Sequence, residues 1–376
     1  MLEERGAGGN LTPPLSARKF VPSAASGATQ MQGPCALRGP AEHRFEWNAT
    51  LPTVSVVTPF YNTDEYLEEC IEGVLGQTLE DFEYVLVDNA STDESLEIAR
   101  AYEARDPRIR ILHFDELLPQ IPNYNRALRQ VDPSASYCKI AQADDILLPR
   151  CLQAMVVRAE SDPEIGLVGA YTILQNRVFL DGLDYFERVV EGNELCRRYL
   201  QDGPYLFGSP TSQLYRMADV QARDPFFPET GVIADADAAM DLVLDRRFGF
   251  VHETLTFIRT SNESITTTRG DFNIDALTRR VLLEKYGRRV MDEETFRRWR
   301  GILARRHYRV LGEGWLKRLG PKFWAFHREG MTDAGLEISR MGVAMGAAAV
   351  LFRYPLNLEQ TMRELWRWIR GGDGKG

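Results

Sequence analysis

Between Leu51 and Ala141 the sequence alternates short apolar runs with amphipathic segments, and this alternation constrains the fold more than any other feature. The apolar runs predict buried strands at residues 54–58, 84–87, 109–112 and 137–141. Apolar residues at helical spacing predict helices at residues 64–75 and 123–131, and a third helix ends at Glu103. Strands that alternate with helices form a parallel sheet with helices on both faces. We therefore predict an α/β fold with a doubly wound, mostly parallel sheet.

Polar residues follow two of these strands. Asp88 and Asn89 come directly after the second strand, and Asp144 and Asp145 come shortly after the fourth. In such sheets, ligands bind just beyond the carboxyl ends of the strands. Paired carboxylates at that edge suit Mg²⁺ or Mn²⁺, which prefer oxygen ligands and bridge to substrate phosphates. The first strand is followed by neither a GxxxxGK[ST] loop nor a GxGxxG turn, which argues against a P-loop NTPase and a nicotinamide dehydrogenase.

The composition is that of a globular protein, with 44% hydrophobic and 26% charged residues among 376. Its five cysteines lie far apart without a CxxC or metal-ligand spacing, which predicts reduced thiols in a cytoplasmic protein. We expect no secretory signal and no transmembrane helix, because no apolar run has the required length. Residues 1–50 are rich in Gly, Pro, Ala and Ser and predict a disordered leader, with Met31 as an alternative start.

Later in the chain, strand patterns recur at residues 166–174 and 249–259 and then cease after about residue 268. Helical patterns follow at residues 279–309, 314–328 and 359–370. The predicted organisation is the leader, an α/β domain over residues 51–268 and a helical region over residues 269–376.

The helical region is basic, whereas the rest of the chain is acidic. Residues 271–376 contain 21 Lys and Arg against 13 Asp and Glu, a net charge of +8. Since the whole chain carries −9, the first 270 residues carry −17. Together with tryptophans among arginines in "LWRWIR", this predicts peripheral contact with an anionic membrane surface. A solvated helical face or ordinary helix packing explains the same pattern.

Three blocks of the sequence resemble, in order, those of family 2 glycosyltransferases with the GT-A fold: "VSVVTPFYNTDEYLEECIEGVLGQTL", "FEYVLVDNASTDESLEIA" and "YCKIAQADDILLP". The resemblance covers roughly residues 52–267. It implies a metal-dependent, inverting glycosyltransferase of the hexosyltransferase type, as used in polysaccharide biosynthesis. Such an enzyme moves a sugar from a nucleoside-diphosphate sugar to a glycan or lipid-linked acceptor. The QxxRW signature of processive members is missing, so we expect single transfers.

The resemblance also implies which residues bind the donor. Thr58, Pro59 and Tyr61 would pack around the base and ribose of the nucleotide. Asp88 and Asn89 would meet the edge of the base. Many members have Asp where this chain has Asn89, and an amide donates as well as accepts, so the identity of the base stays open.

The motif that the family writes as DxD appears here as Ala143-Asp144-Asp145. The resemblance implies that Asp144 lies near the ribose or the sugar and that Asp145 binds the metal ion, Mn²⁺ or Mg²⁺. Lys139, four residues before Ala143, either serves this site or is a solvated lysine at the strand end.

Direct displacement at the anomeric carbon needs a base for the acceptor hydroxyl and a metal ion for the departing diphosphate. The family places the base in an acidic motif, for which the candidate here is "GVIADADAAMDLVL". Alignment on the strand that follows assigns Asp235 as the base and Asp237 as the fallback, although Ala234 replaces a common Glu. Asp241 is expected to be a surface carboxylate. An acidic helix start favoured by the helix dipole remains the alternative for the whole motif.

Several weaker expectations complete the sequence-based site. The segment at residues 208–216 is expected on the acceptor side. Arg216 or Arg259 is expected either to meet a phosphate or to form a surface ion pair. His252 alternates with apolar neighbours and is expected to be structural.

Two other functions stay open from sequence alone. A nucleotidyltransferase would share the sheet and the paired aspartates, but it would carry a basic, Gly-rich loop after the first strand. A non-catalytic module that binds nucleotide sugars is the other, because Ala143 and Ala234 stand where acids are common. No nucleic-acid partner is predicted.

Overall fold

The computed structural model describes residues 53–259 and 272–353. The leader predicted over residues 1–50, the domain boundary at residue 268 and the helix predicted over residues 359–370 lie outside the described residues. The strands are β1 (Val54–Phe60), β2 (Phe82–Asn89), β3 (Ile109–Phe114), β4 (Tyr137–Ile140), β5 (Ile146–Leu147), β6 (Ile165–Leu174), β7 (Arg177–Phe179), β8 (Val189–Glu191), β9 (Gln213–Arg216) and β10 (Arg247–Ile258). The helices are α1 (Asp64–Leu75), α2 (Ser95–Glu103), α3 (Gln120–Leu128), α4 (Cys151–Glu160), α5 (Gly192–Leu200), α6 (Met217–Gln221), α7 (Ala234–Leu244), α8 (Ile274–Val290), α9 (Glu293–Leu316), α10 (Pro321–Asp333) and α11 (Arg340–Arg353).

The strands form one sheet in the order β3-β2-β1-β4-β9-β6-β10-β5, and β7 and β8 pair with β6 and β10. The four strands predicted first, β1 to β4, are all parallel, and so are β6 and β10. The antiparallel pairings are short, and the insertion of β9 between β4 and β6 joins the two parallel groups. The predicted α/β class with a mostly parallel sheet and a helical C-terminal region is confirmed.

Register brings the carboxyl ends of the strands to one edge. Phe60 at the end of β1 pairs with Asp88, and Asp88 pairs with His113 near the end of β3. On the other side, β5 pairs antiparallel with β10, matching Phe257 with Ile146. Because Ile146 follows Asp145 directly, this pairing places the acidic pair beside the end of β10.

Alternate residues of β1 and β2 enter two separate cores. Val56 and Leu86 belong to the core beneath α1, α2 and α4, whereas Val57 and Val85 belong to the core beneath α3, α5 and α7. Successive side chains on a strand point to opposite faces, so a strand covered on both sides is apolar throughout. This explains why the first runs show no polar alternation.

The C-terminal helices differ from their predicted bounds at two breaks. The pattern predicted as one helix over residues 279–309 is divided between α8 and α9, because Asp292 caps α9 by accepting a 2.8 Å hydrogen bond from Thr295 N. The helix predicted over residues 314–328 is also divided. There Arg318 takes a φ of +53° after the end of α9, and Pro321 begins α10. No helix in the described parts of the chain is long and apolar enough to cross a membrane.

Candidate active site

The acidic pair lies in the turn between β4 and β5, and its two carboxylates are placed differently. Asp145 is 3% exposed; its Oδ2 accepts a 2.6 Å hydrogen bond from Thr211 Oγ1 and its Oδ1 accepts one of 3.2 Å from Arg259 N. Asp144 is only half-buried. Each oxygen of Asp145 accepts one of these hydrogen bonds and keeps a second lone pair, so both carboxylates remain able to face a cation. The assignment of the metal ion to Asp145 stays a prediction.

The two carboxylates concentrate negative charge. Burial, followed by the charge of Asp144, raises the pKa of Asp145 to about 7. A divalent cation would balance this charge, and Mg²⁺ or Mn²⁺ binds proteins through one or two carboxylates while keeping waters and substrate phosphates as its other ligands. No cluster of three or more potential ligands was found among the described residues, which is compatible with that mode. The acidic pair therefore fits a hard divalent cation.

Lys139 is fully buried behind the acidic pair. Its Nζ donates to Gln213 O at 2.9 Å and to Thr211 O. Burial lowers the pKa of this lysine. The expectation of a solvated lysine at the strand end is wrong, because the side chain points into the sheet where β4 meets β9. Lys139 thus fixes the backbone of the residue that holds Asp145.

Two further residues of this network were missed by sequence reasoning. Gln142 Nε2 donates to Tyr124 OH at 3.0 Å, and Gln142 N donates to Thr211 Oγ1 at 3.2 Å. Their only sequence signal was position, since Gln142 precedes the acidic pair and Thr211 lies in the segment expected on the acceptor side. The structure instead places Thr211 in direct contact with Asp145.

At the end of β1, the three residues assigned to the nucleotide are not equally accessible. Thr58 is fully buried and shares a 2.9 Å hydrogen bond with Tyr84 OH, and Pro59 is also buried. Tyr61 is 41% exposed. Of these three, Tyr61 therefore presents the ring that a base could stack against, while Thr58 and Pro59 shape the strand beneath it.

The carboxylate of Asp88 is occupied by neighbours. His113 Nδ1 donates to Asp88 Oδ2 at 2.6 Å, and Ser91 N donates to Asp88 Oδ1 at 3.0 Å. This hydrogen bond to Asp88 raises the pKa of His113, whose ring is exposed. His113, which sequence reasoning did not single out, is the exposed member of the pair and extends the polar surface at the end of β3.

The amide of Asn89 is likewise engaged. Its Nδ2 donates to Leu118 O at 2.9 Å, and its Oδ1 accepts from Leu118 N at 3.0 Å. The side chain is buried. In this arrangement Asn89 fixes the loop that follows β3, so its amide reaches a base only if these bonds rearrange.

The two candidate bases lie in the first turn of α7. Asp235 is half-buried, and burial raises its pKa, as suits a general base near neutral pH. Asp237 is buried and accepts hydrogen bonds from Lys285 Nζ at 2.7 Å and Tyr286 OH at 2.6 Å. Lys285 also bonds Asp333 at 2.6 Å. The carboxylate of Asp237 thus ties α7 to the C-terminal helices, and its fallback assignment as the base stays a prediction.

Asp235 lies on the same face of the sheet as Phe207 and Tyr215. The neighbours of Asp235 in the sequence, Ala234 and Ala236, pack in one core with these two residues. The surface carboxylate expected at Asp241 is half-exposed and pairs with Arg223 at 2.9 Å.

The two arginines considered for phosphate binding have different surroundings. Arg216 donates to Ile165 O at 2.9 Å and to Ala159 O at 3.2 Å, which makes it structural. Arg259 Nε donates to Asp144 O at 2.8 Å, and its Nη2 donates to Glu69. Arg259 thus brings a positive charge to the acidic pair.

His252 is held on both ring nitrogens. Its Nδ1 lies 2.8 Å from Tyr171 OH and its Nε2 lies 2.9 Å from Glu187 O. This agrees with the structural role expected from its position in β10.

Comparison with known proteins gives a consistent result. Residues 55–222 match the sequence profile described as "Glycosyl transferase family 2". Glycosyltransferase GlyG of Streptococcus pneumoniae serotype 4 is 27% identical over 251 residues, which cover 64% of this chain and 80% of that protein. The uncharacterized glycosyltransferase EpsJ of Bacillus subtilis is 48% identical over a shorter stretch of 63 residues, 17% of this chain and 18% of that protein.

A solved structure shows the same fold. The crystal structure of residues 1–349 of Staphylococcus aureus TarS in complex with UDP-GlcNAc superposes with a TM-score of 0.58. The match covers 83% of this chain and 92% of that chain at 17% sequence identity. Residues 55–222 are therefore similar to the family 2 glycosyltransferases, and the structure has the GT-A fold.

Proposed function

We propose that this glycosyltransferase transfers a sugar from a nucleoside-diphosphate sugar to a hydroxyl of a glycan or lipid-linked acceptor, with a divalent metal ion and with inversion at the anomeric carbon. The observation that carries the proposal is the anchored acidic pair. Asp145 is fixed by Thr211 and Arg259 N at the edge where the strands end, and Asp144 is left more accessible beside it. Mg²⁺ or Mn²⁺ would be held there by the acidic pair and, when bound, would balance the charge of the departing diphosphate.

Different residues of the site would contact different parts of the donor. Tyr61 would stack on the base, since its ring is exposed beside the end of β1. The pair of Asp88 and His113 would present polar atoms to the edge of the base. Arg259, whose guanidinium already touches the acidic pair, would contact the diphosphate.

Asp235 would take the proton from the acceptor hydroxyl. Burial raises the pKa of its carboxyl toward the operating range of a general base. A base that acts from the side opposite the leaving diphosphate leads to inversion in a single displacement. Pocket shape, which differs within a family, decides which sugar and which acceptor are accepted.

The location of the protein is proposed to be cytoplasmic. The four described cysteines, Cys70, Cys138, Cys151 and Cys196, are all free and buried, which supports a reducing compartment.

The deciding experiment is donor binding and turnover across UDP-, GDP- and dTDP-sugars, with Mn²⁺, with Mg²⁺ and with a chelator. UDP-GlcNAc is the first donor to test, because the TarS structure contains it. We expect one class of donor to be consumed only with metal, and Asp144→Asn to abolish this while leaving the fold intact. Metal-dependent binding without turnover of any donor would instead favour the non-catalytic module.

A further inference from the structure

Helix α11 is held against α9 by small residues on one of its faces. A Cβ on Gly346 would lie 1.9 Å from Tyr308 O, and one on Gly312 would lie 2.1 Å from Ala347 N. A Cβ on Gly342 would lie 2.5 Å from the Tyr308 ring. At Gly312 and Gly346 the two backbones approach so closely that no side chain fits, and the packing of α11 on α9 is therefore fixed.

The opposite face of α11 carries large apolar side chains that are open to solvent. Met341, Met345 and Phe352 are 73%, 68% and 73% exposed. Their spacing of four and seven residues puts them on one side of the helix. We call these three residues the α11 stripe. Leu351, 54% exposed, flanks it.

The end of α9 extends this apolar surface. Tyr308 meets Gly342 and Gly346 while Gly312, four residues later, meets Ala347, so α9 and α11 run in the same direction. Their C-terminal ends therefore lie on the same side. Trp315 and Leu316 are exposed at the end of α9, and Leu351 and Phe352 are exposed at the end of α11.

Basic residues border the surface. Arg318 follows the end of α9, Lys322 lies in the first turn of α10, and Arg340 begins α11. All three are exposed, and none of them makes an ion pair with a described residue. They belong to a region whose sequence carries a net charge of +8.

We infer that the α11 stripe, Trp315 and the bordering basic residues bind the surface of an anionic lipid bilayer. Exposed Met, Phe and Trp side chains enter the boundary between headgroups and acyl chains, and Arg and Lys beside them pair with lipid phosphates. A second copy of the chain fits less well. A two-fold interface packs one surface patch against the same patch of the second copy, and here it would bring two sets of basic residues, Arg318, Lys322 and Arg340, towards each other.

The inference is independent of the donor site, which lies in the α/β part of the chain. The direct test is flotation of the purified full chain with vesicles of phosphatidylcholine alone and with vesicles that contain an equal share of phosphatidylglycerol. We expect binding to the anionic vesicles only, weakened by salt. The variant Met345→Glu/Phe352→Glu should bind at least roughly 10-fold more weakly, because two charges would enter the apolar layer.

Matched variants separate the inference from other causes. Val157→Glu on α4 changes a residue that is 55% exposed elsewhere, and it should bind like the wild type. Arg318→Gln/Lys322→Gln should lose affinity for anionic vesicles. Melting temperatures and donor turnover without vesicles should stay at wild-type values in all of these variants, since none of the residues supports the core.

Three outcomes would overturn the inference. One is equal vesicle binding by the wild type and Met345→Glu/Phe352→Glu. Another is loss of binding in Trp366→Ser/Trp368→Ser alone, which would assign the membrane contact to the chain after Arg353. The third is a dimer in light scattering that Met345→Glu/Phe352→Glu dissociates while the wild type binds no vesicles, which would make the stripe a contact between copies.

Discussion

Thr211 Oγ1 donates a 2.6 Å hydrogen bond to Asp145 Oδ2, across 66 positions of sequence. The bond joins one oxygen of a buried carboxylate to the turn that precedes β9, and Arg259 N donates to the other oxygen. Asp145 is therefore fixed in the turn, beside its half-buried neighbour Asp144.

This arrangement predicts different effects for substitutions of Asp144, the neighbour of Asp145 in the sequence, and of Thr211, which donates to Asp145. Asp144→Asn should abolish metal-dependent donor binding with little change in melting temperature. Thr211→Val should lower the affinity for the metal ion about 10–100-fold, as is typical when a residue that supports a metal ligand is lost. Titration calorimetry with Mn²⁺ and the donor measures both, and Asp241→Asn on the surface of α7 is the control. Normal metal binding in Asp144→Asn would show that Asp145 is the metal ligand.

Substitution of Asp235 should affect catalysis, whereas substitution of Asp237 should affect stability. Asp235→Asn should lower turnover by roughly 10²–10⁴-fold while donor affinity is kept, because only proton removal is lost. Asp237→Asn should lower the free energy of unfolding by about 2–3 kcal/mol, because Lys285 and Tyr286 lose a buried partner. Single-turnover kinetics and urea unfolding measure the two effects. Wild-type stability together with lost turnover in Asp237→Asn would make Asp237 the base.

Lys139→Met keeps the length of the side chain but removes its donors. We expect the free energy of unfolding to fall by about 1–3 kcal/mol for each of the two carbonyls, Thr211 O and Gln213 O, that is left buried without a partner. Urea unfolding measures it, with exposed Lys322→Met as the control. A variant as stable as the wild type would mean that burial of the ammonium costs as much as its two bonds contribute.

The C-terminal helices contain a buried histidine pair whose tautomers follow from an arginine. Arg280 Nη1 donates to His307 Nδ1 at 3.1 Å, so His307 Nε2 carries the hydrogen that is donated to His327 Nδ1 at 2.9 Å. Both rings are fully buried. Burial lowers the pKa of His327 to about 4 and that of His307 well below its ordinary value.

These lowered values predict a loss of stability in acid. The unfolded chain binds protons below the ordinary histidine pKa of 6.5, whereas folded His327 stays neutral until about pH 4. His327 should therefore lower the free energy of unfolding by about 1.4 kcal/mol per pH unit as the pH falls between these limits, and by nothing above pH 7. His307, whose pKa is also lowered, should add a loss in the same direction. Urea unfolding from pH 7 to pH 5 measures the slope. His327→Gln, which can still accept from His307, should reduce the slope; an unchanged slope would show that other groups titrate.

Local sequence patterns predicted much of the fold. The strands β1, β2, β3 and β4, the acidic pair that follows β4 and the resemblance to family 2 glycosyltransferases were all recognisable, because a strand buried on both faces needs a continuous apolar run and a ligand edge needs polar ends. The breaks in the helical region were less visible, since a cap at Asp292 and a residue with positive φ at Arg318 interrupt a helix without interrupting its apolar spacing.

What the sequence by itself determined was therefore which residue types stand at the carboxyl edge of the sheet. Only the tertiary structure decided which carboxylates are held by distant residues. Asp145 is occupied by Thr211 and Arg259, 66 and 114 positions away, and Asp237 is occupied by Lys285, 48 positions away. A carboxylate's role depends on the donors and the burial around it, and these come from chain segments that folding alone brings together.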